Sequence, residues 1–465
     1  MAKNKKNNHV CFIGASSEEV TGSANLVQFQ DYNILVDYGL YQSNDDIKDY
    51  EVNSKRDKRL KPKNLDGIIL THNHIDHSGR MPMLYKNGAD CPIFIPKDTK
   101  GLLTLMLQDS VKIFQSNLER FNRQPLYSQI DVDNLLRHVV EVDYHKKIVI
   151  NDSIYFEYYN ANHITKSCQV LLTLDNGINK KNIGFTGDIC NKDRYYLNKF
   201  ESLPRVDLLV GECTYSNNKR LNKTKDRKKD IEKLKLVIQQ AKENNGKVLI
   251  PIFANNRIEE VLTTLYLAYK NEKCPMQILV TTPLGTEIAN IFSNLVEKND
   301  ILWDKVFNWD NVCYIDKFKN MLKASQIKEP CIILGTGGVS MSGGTSVFWI
   351  KNLLSNKNNH IVFCGYSSET SLAGRIKEGK EKEVNVDGQK IKNKASITSL
   401  NSFSSHMDYK QLLDYYKSIP FEKLCLVHSN QESKVEFAKE LKKELSKLNR
   451  TSKVIVTNKS TEVSF

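Results

Sequence analysis

No stretch of this chain constrains its fold more than Thr71-His72-Asn73-His74-Ile75-Asp76-His77, which follows directly on the apolar run Gly67–Leu70. Each imidazole carries a polar nitrogen that needs a partner, so three rings and a carboxylate crowded into one short segment do not simply fill a core. A loop at a strand end can aim alternate side chains at different metal ions. His72 and His74, two apart, point the same way and share one ion, while Asp76 and His77 reach a neighbouring one. Mixed nitrogen and oxygen donors suit zinc, which keeps a position open for water in catalytic sites. Two ions about 3.5–4 Å apart generate hydroxide near neutral pH and clamp both oxygens of an in-line phosphoryl displacement. Further ligands must come from other strand ends, and His163, after Tyr158–Ala161, and Asp188, closing Ile183–Gly187, stand at such places.

Around that loop, short apolar runs punctuated by Gly, Asn and Asp predict strands of a layered sheet: Val10–Ile13, Asn25–Phe29, Asn33–Val36, Gly67–Leu70 and Pro92–Ile95. Lys147–Tyr158, Gln169–Leu174 and Ile183–Thr186 continue the series, and Lys100–Phe121 has the period of an amphipathic helix. After Glu212 the composition changes. Lys219–Lys235 is dense in Lys and Arg, and from Gly246 strands alternate with helices. The strands are Val248–Ile252, Gln277–Thr281, Cys331–Leu334 and His360–Cys364, and the helices Glu259–Tyr269 and Thr286–Val296. Single strands and helices return with Ala395–Ser399, Lys410–Ser418, Lys423–Val427 and Lys434–Leu445. That order predicts one domain interrupted by a parallel α/β domain.

Lys and Arg number 67 against 54 Asp and Glu, a formal charge of +13, which favours an acidic polymer as partner because basic side chains neutralise phosphates and release counterions. The ten cysteines occur singly, with no C-x-x-C pair, and read as reduced, buried small hydrophobes rather than a disulfide scaffold. Neither an N-terminal apolar segment nor a run of about 18 apolar residues is present, so secretion and membrane spanning are not expected and a cytoplasmic location is.

The H-x-H-x-D-H run at His72–His77, with Asp37, His163 and Asp188 at matching strand ends, resembles the metallo-β-lactamase superfamily, and more closely its β-CASP branch of nucleic-acid-processing nucleases. Gly14-Ala15, Glu19-Val20-Thr21-Gly22-Ser23 and Leu35–Gln42 look like that branch's N-terminal signature. Glu212-Cys213-Thr214-Tyr215 resembles its motif A, Phe403–Asp408 its motif B and Val427-His428-Ser429 its motif C. Pro251-x-Phe253-Ala254 with Arg257, Pro283-Leu284, Gly337-Gly338, Gly343-Gly344, Gly365-Tyr366 and Gly374-Arg375 match in order and approximate spacing. The resemblance implies an α/β fold, an αββα metallo-β-lactamase sandwich interrupted by an inserted parallel α/β (β-CASP) domain. The expected limits are 1–205 and 396–465 for the sandwich and 206–395 for the insertion.

Carried over residue by residue, the resemblance implies two zinc ions per chain, with manganese as an alternative occupant. One is held by His72, His74 and His163, the other by Asp76, His77 and His428, with Asp188 bridging and Asp37 orienting a ligand ring. Asp76, His406 and Glu212 are the residues assigned to the chemistry, His406 donating a proton to the leaving oxygen and Glu212 orienting it. Ser404 and Arg375 are expected phosphate contacts, and the basic run Lys219–Lys235 a guide for RNA that competes with the reading of a solvated face.

The activity so implied is hydrolysis of single-stranded RNA to 5′-phosphate and 3′-hydroxyl ends, endonucleolytic and with 5′–3′ exonucleolysis as a further mode. The chain ends soon after His428, which favours the compact members of the branch, and a homodimer is left open. Two alternatives within the branch are a DNA-processing nuclease, against which His428 counts, and an inactive RNA-binding scaffold, against which the intact ligand set counts. A small-molecule hydrolase would explain the metal loop but neither the insertion nor His406. Departures from the family pattern are Lys166 in place of Gly, Asn255-Asn256 before Arg257, Ser216-Asn217-Asn218 in motif A and Ser429-Asn430 in motif C. They bear on substrate length and cleavage mode more than on catalysis.

Overall fold

The computed structural model describes residues 8–465 apart from 44, 218–225, 297–300, 338–343 and 366–370. The glycine pairs at Gly338, Gly343 and Tyr366, the motif A departure at Asn218 and the first part of the Lys219–Lys235 run therefore lie wholly or partly outside the described residues. The chain divides into two compact units, the first Met1–Asp193, Leu197–Asn222 and Ser405–Phe465, the second Arg194–Tyr196 and Lys223–Ser404.

The first unit is built on two seven-stranded sheets. One runs Glu462–Ser464, His9–Phe12, Asn25–Phe29, Tyr32–Val36, Gly67–Ile69, Ile93–Pro96, Val139–Val142. The other runs Lys453–Val456, Phe421–Val427, Val206–Glu212, Lys180–Phe185, Cys168–Asp175, Ile154–Asn160, Ile148–Asn151. Alternation drives the packing. In Ile154–Asn160 the buried positions are Ile154, Phe156, Tyr158 and Asn160. The first three meet Phe12, Val27, Ile34, Val36 and Phe94 of the facing sheet in a central apolar layer. Outside the first sheet, Leu103 and Leu107 of helix Lys100–Phe121 pack on Leu26, Leu35 and Ile68. Outside the second, Leu412 of Tyr409–Ser418 and Phe437 and Leu441 of Gln431–Lys447 pack on Leu209, Leu424 and Leu426. The layers are helix, sheet, sheet, helix, the expected αββα sandwich.

The second unit carries a six-stranded sheet in the order Val312–Tyr314, Gln277–Val280, Cys331–Thr336, Val248–Ile252, His360–Phe363, Ser396–Ser399, with every pairing parallel. Its apolar core joins Leu249, Ile333 and Ile361 to Trp349 and Ile350 of helix Gly344–Leu353 and Ile376 of Leu372–Glu378. The parallel α/β insertion is thus present.

Three expectations differ from what is observed. Val206–Glu212 pairs in parallel with both Lys180–Phe185 and Phe421–Val427, so it belongs to the first unit rather than to an insertion starting at 206. Ser396–Ser399 pairs with His360–Phe363, so the second unit runs past 395. The single run Lys147–Tyr158 is a hairpin, Ile148–Asn151 against Ile154–Asn160, because the Asn151 side chain accepts the Ser153 N–H at 2.9 Å and closes a turn. All ten cysteines are free, Cys313 alone among them exposed. Among the described residues no helix is long and apolar enough to cross a membrane.

Candidate metal centre

The site lies within the first unit, at the ends of strands of both sheets. Thr71 and His72 follow Gly67–Ile69, and His74 precedes the short helix Ile75–Ser78, whose first turn carries Asp76 and His77. His163 follows Ile154–Asn160, Asp188 follows Lys180–Phe185, Glu212 ends Val206–Glu212 and His428 follows Phe421–Val427. Only the sheets' pairing brings these five strand ends together.

Two adjacent groups of donors face each other, one of His72, His74, His163 and Asp188, the other of Asp76, His77 and His428, and Asp188 also groups with Glu212 and His406. His74 Nδ1 lies 3.1 Å from both His72 Nε2 and His163 Nε2. Asp188 Oδ2 lies 3.8 Å from His72 Nε2 and 3.6 Å from His163 Nε2. Its other oxygen, Oδ1, is 3.5 Å from His77 Nε2 and 3.7 Å from His428 Nε2, and Asp76 Oδ2 is 3.4 Å from His428 Nε2. Asp188 therefore faces one group with each oxygen.

The ring nitrogens of His72, His77, His163 and His428 that point away from these groups are anchored. His77 Nδ1 lies 2.8 Å from Asp37 Oδ2, and Asp37 also accepts the Thr71 N–H at 2.8 Å and the Thr71 hydroxyl at 2.9 Å. His72 Nδ1 meets Thr71 Oγ1 at 3.1 Å, His163 Nδ1 the Ser405 carbonyl at 2.8 Å, and His428 Nδ1 the Thr214 hydroxyl at 2.9 Å. Such partners fix which nitrogen faces inward. Thr71, Thr214 and Ser405 were not singled out from the sequence; Thr71 adjoins the histidine run, but the reach of Thr214 to His428 has no local sign.

His77 Nε2 and Asp188 Oδ1 are buried with no hydrogen-bond partner, and unsatisfied buried polar atoms need an explanation. Donor spacings of 3.1–3.8 Å match ligands around an ion, since metal–ligand bonds of about 2.0–2.2 Å give tetrahedral edges of roughly 3.3–3.6 Å. The electrostatics agree for His72, His74 and His163, whereas at His77 and His428 burial is outweighed by the surrounding carboxylates, which raise both rings. Burial first, then the neighbouring His77 ring, holds His72 well below the usual imidazole range. Burial and His406 do the same for His163, and burial takes His74 down to about 4 against the pull of Asp76 and Asp188. Neutral imidazoles are the ligand form. Burial would lift Asp188, but the rings of His428 and His77 hold it well below the usual carboxylate range. Burial likewise opposes a charge on His77, which Asp188, Asp37 and Asp76 outweigh and raise well above its ordinary value. These residues fit metal ions.

Beside the cluster, His406 Nδ1 lies 3.1 Å from Glu212 Oε1 and its Nε2 is 4.0 Å from Asp188 Oδ2. Glu212, 1% exposed, is held in turn by the N–H groups of Ile189 at 3.2 Å and Thr214 at 2.8 Å. Two departures from the family pattern meet here: the buried hydroxyls of Ser216 and Ser429 are 3.0 Å apart. Lys166 has φ +62° and its ammonium lies 3.4 Å from Asp98. Asn256 stands at φ +64°, a left-handed conformation that Asn tolerates better than most side-chain-bearing residues. Ser404 and Arg375 lie in the second unit, where Arg375 donates to the Asn385 carbonyl at 3.2 Å and faces Glu381 at 4.0 Å. Arg227, from the basic run, stacks 3.6 Å over the Phe403 ring and pairs with Glu260 at 3.2 Å, so this cation is not simply solvated.

Comparison with known proteins agrees with this geometry. Residues 18–142 match the metallo-beta-lactamase superfamily, 232–376 the Beta-Casp domain, and 390–452 the Zn-dependent metallo-hydrolase RNA specificity domain. The transcription termination factor FttA of Methanococcus maripaludis is 30% identical over 92% of this chain and 68% of its own length, and that of Methanocaldococcus jannaschii 27% over the same shares. Ribonuclease TTHA0252 of Thermus thermophilus is 24% identical over 91% of this chain and 94% of its own. A crystal structure of a protein of unknown function from Enterococcus faecalis V583 shares the fold, with a TM-score of 0.55 and 13% identity over 99% of this chain and 100% of that one. Sandwich, histidine cluster and matches together define a metal-dependent hydrolase. The chain belongs to the metallo-β-lactamase superfamily, in its β-CASP branch of nucleases.

Proposed function

We propose that this protein is a zinc-dependent ribonuclease that hydrolyses phosphodiester bonds of single-stranded RNA internally, with 5′–3′ exonucleolysis as a further mode, leaving 5′-phosphate and 3′-hydroxyl ends. The carrying observation is the placement of His406, buttressed by Glu212 at 3.1 Å and facing Asp188 at 4.0 Å, beside both donor groups. The match of residues 390–452 to an RNA specificity domain and the ribonuclease relative support RNA over DNA. The termination-factor relatives support a nascent transcript, in the cytoplasm, as one natural substrate.

In this reading His72, His74 and His163 hold one zinc, Asp76, His77 and His428 a second, and Asp188 offers an oxygen to each. When bound, the ions supply an activated water and neutralise charge on the phosphoryl group. With Nδ1–H of His406 donating to Glu212, Nε2, which faces Asp188 at 4.0 Å, is the nitrogen that would carry the transferred proton. The attacking water oxygen bonds to phosphorus and gives up a proton to solvent, the bond to the 3′-oxygen breaks, and the Nε2 proton passes to that oxygen, which would otherwise be a poor leaving group. Asp37 keeps His77 Nε2 directed inward. Ser404 and Arg375 remain the candidate phosphate contacts; for Arg375 that role requires exchanging Asn385 or Glu381 for phosphate. Manganese is the alternative to zinc, as a nitrogen and oxygen site accepts either. An inactive scaffold would have no reason to keep the full donor set facing inward.

The test uses metal-quantified protein and an internally labelled RNA offered linear and as a closed circle, with single-stranded DNA as control. Cutting of the circle, abolished by His74→Ala, is the expected result. Loss of the linear RNA alone would replace the internal mode by an end-dependent one, and no cutting of either RNA by two-zinc protein would overturn the reading.

A further inference from the structure

Lys434 has no exposed surface, yet the hydrolytic chemistry makes no use of it. It sits in the first turn of helix Gln431–Lys447, which leaves the His428 loop. Its ammonium donates to two backbone carbonyls from opposite ends of the chain, Thr457 at 2.8 Å and Ser17. The Ser17 carbonyl also accepts the Thr457 hydroxyl at 3.3 Å and Gln431 Nε2 at 3.4 Å. One residue earlier, the Ser16 carbonyl accepts the backbone N–H of His428 at 2.6 Å. Further along the same segment, the Ser23 N–H bonds the Asp76 carbonyl at 2.8 Å. The segment thus braces two residues of one donor group.

His428 needs such a brace. Its φ is +62°, a region that residues with a β-carbon visit rarely and keep only where the surroundings over-determine it. The turn Ala15–Ser17 that supplies the Ser16 carbonyl is a single 3-10 turn with no side-chain cap of its own. A buried ammonium is a costly way to fill this space, and burial pushes Lys434 down to about 8. A methionine of similar length would avoid that cost but would take this donor from the Ser17 and Thr457 carbonyls.

We propose that Lys434 is a positioning residue for His428: its ammonium pins the Ser16–Ser17 turn, which holds the His428 backbone in its left-handed conformation and aims Nε2 at Asp76 and Asp188. The proposal rests on the reading that Asp76, His77 and His428 hold a zinc ion. The lysine touches neither ion nor substrate and acts through the turn.

The experiment strips zinc from the full-length protein and titrates it back against a chromophoric chelator, for the unmutated chain, Lys434→Met and Thr457→Val. Lys434→Met is expected to weaken one of the two zinc affinities by about 10–100-fold, the size of effect that lost support of a metal ligand has elsewhere, and to leave the other unchanged. Circular dichroism of the metal-free form should not change, so the two affinities are compared in a folded protein. Thr457→Val, which removes the 3.3 Å hydrogen bond to the same carbonyl together with one of 2.6 Å to the Leu426 carbonyl, should lower the same affinity. Unchanged affinities in Lys434→Met, or equal loss of both with a lowered melting temperature, would overturn the positioning role. If Lys434→Met does not fold, unchanged affinities in Thr457→Val overturn it instead. An unmutated chain that binds no zinc would sink the metal reading itself, and the proposal with it, before any variant is compared.

Discussion

Nε2 of His77 and Oδ1 of Asp188 stand 3.5 Å apart, both buried and neither with a hydrogen-bond partner. A nitrogen and an oxygen left facing each other in this way are explained by a cation that takes both. Since Oδ2 of the same carboxylate faces His72 and His163, one side chain joins two donor groups. Asp188→Asn should therefore lower the occupancy of both ions together. Metal analysis after gel filtration checks this, and an Asn variant that still carries two zinc ions would contradict the bridging role.

The proposed mechanism gives acid catalysis and metal binding to different residues, so they should separate under mutation. His406→Ala is expected to leave zinc content and RNA affinity near the unmutated values while cleavage falls by roughly 10²–10⁴-fold, the usual worth of a positioned proton donor. Single-turnover cleavage alongside metal analysis distinguishes the cases; equal loss of metal and activity would remove the acid assignment.

The hydroxyls of Ser216 and Ser429, 0% and 2% exposed, have each other at 3.0 Å. Removing one leaves the other buried without that partner, at a cost of about 1–3 kcal/mol. Ser216→Ala combined with Ser429→Ala should then be less destabilising than the sum of the two single changes. Denaturant unfolding of the three variants measures the coupling, and strict additivity would show that the two departures are independent.

Glu259, 0% exposed on helix Arg257–Ala268, has neither carboxylate oxygen hydrogen-bonded, and burial pushes it up to about 8. The folded unit keeps this proton up to about pH 8, while an unfolded chain releases it from its ordinary 4.5. Between those values the folded form binds more protons, so stability falls as pH rises, by at most ~5 kcal/mol over the window. Glu259→Gln should remove this slope and stabilise the second unit at pH 8 more than at pH 5. Tryptophan fluorescence during urea unfolding reads this unit, because Trp303, Trp309 and Trp349 all belong to it. Equal stabilisation at both pH values would show that the carboxyl is already ionised.

Legibility in the sequence followed distance along the chain. His72, His74, Asp76 and His77 declare themselves because their crowding leaves no room for a core role. His163 and Asp188 show only as single residues at the ends of strand-like runs, a weak local sign, and His428 is named by motif resemblance alone. Thr71, Thr214 and Ser405, which anchor histidine rings of the cluster, stand inside the sequence motifs but carry no sign of that role, because a Thr or Ser beside a strand end is ordinary. The limits of the insertion were misplaced for the same reason. Whether Val206–Glu212 belongs to one unit or the other depends on its ladder to Phe421–Val427, about two hundred residues away.

By itself, then, the sequence determined the donor chemistry, the strand and helix periods and the existence of an interrupting α/β domain, because residue type and short-range spacing are local properties. Tertiary structure decided the rest. It set the two oxygens of Asp188 toward different donor groups, placed Glu212 behind His406, paired Ser216 with Ser429 and buried Lys434 beneath the Ser16–Ser17 turn. Each of these depends on which strands pair across long separations. Pairing is settled by the burial of whole faces and the satisfaction of backbone hydrogen bonds, not by any residue's immediate neighbours.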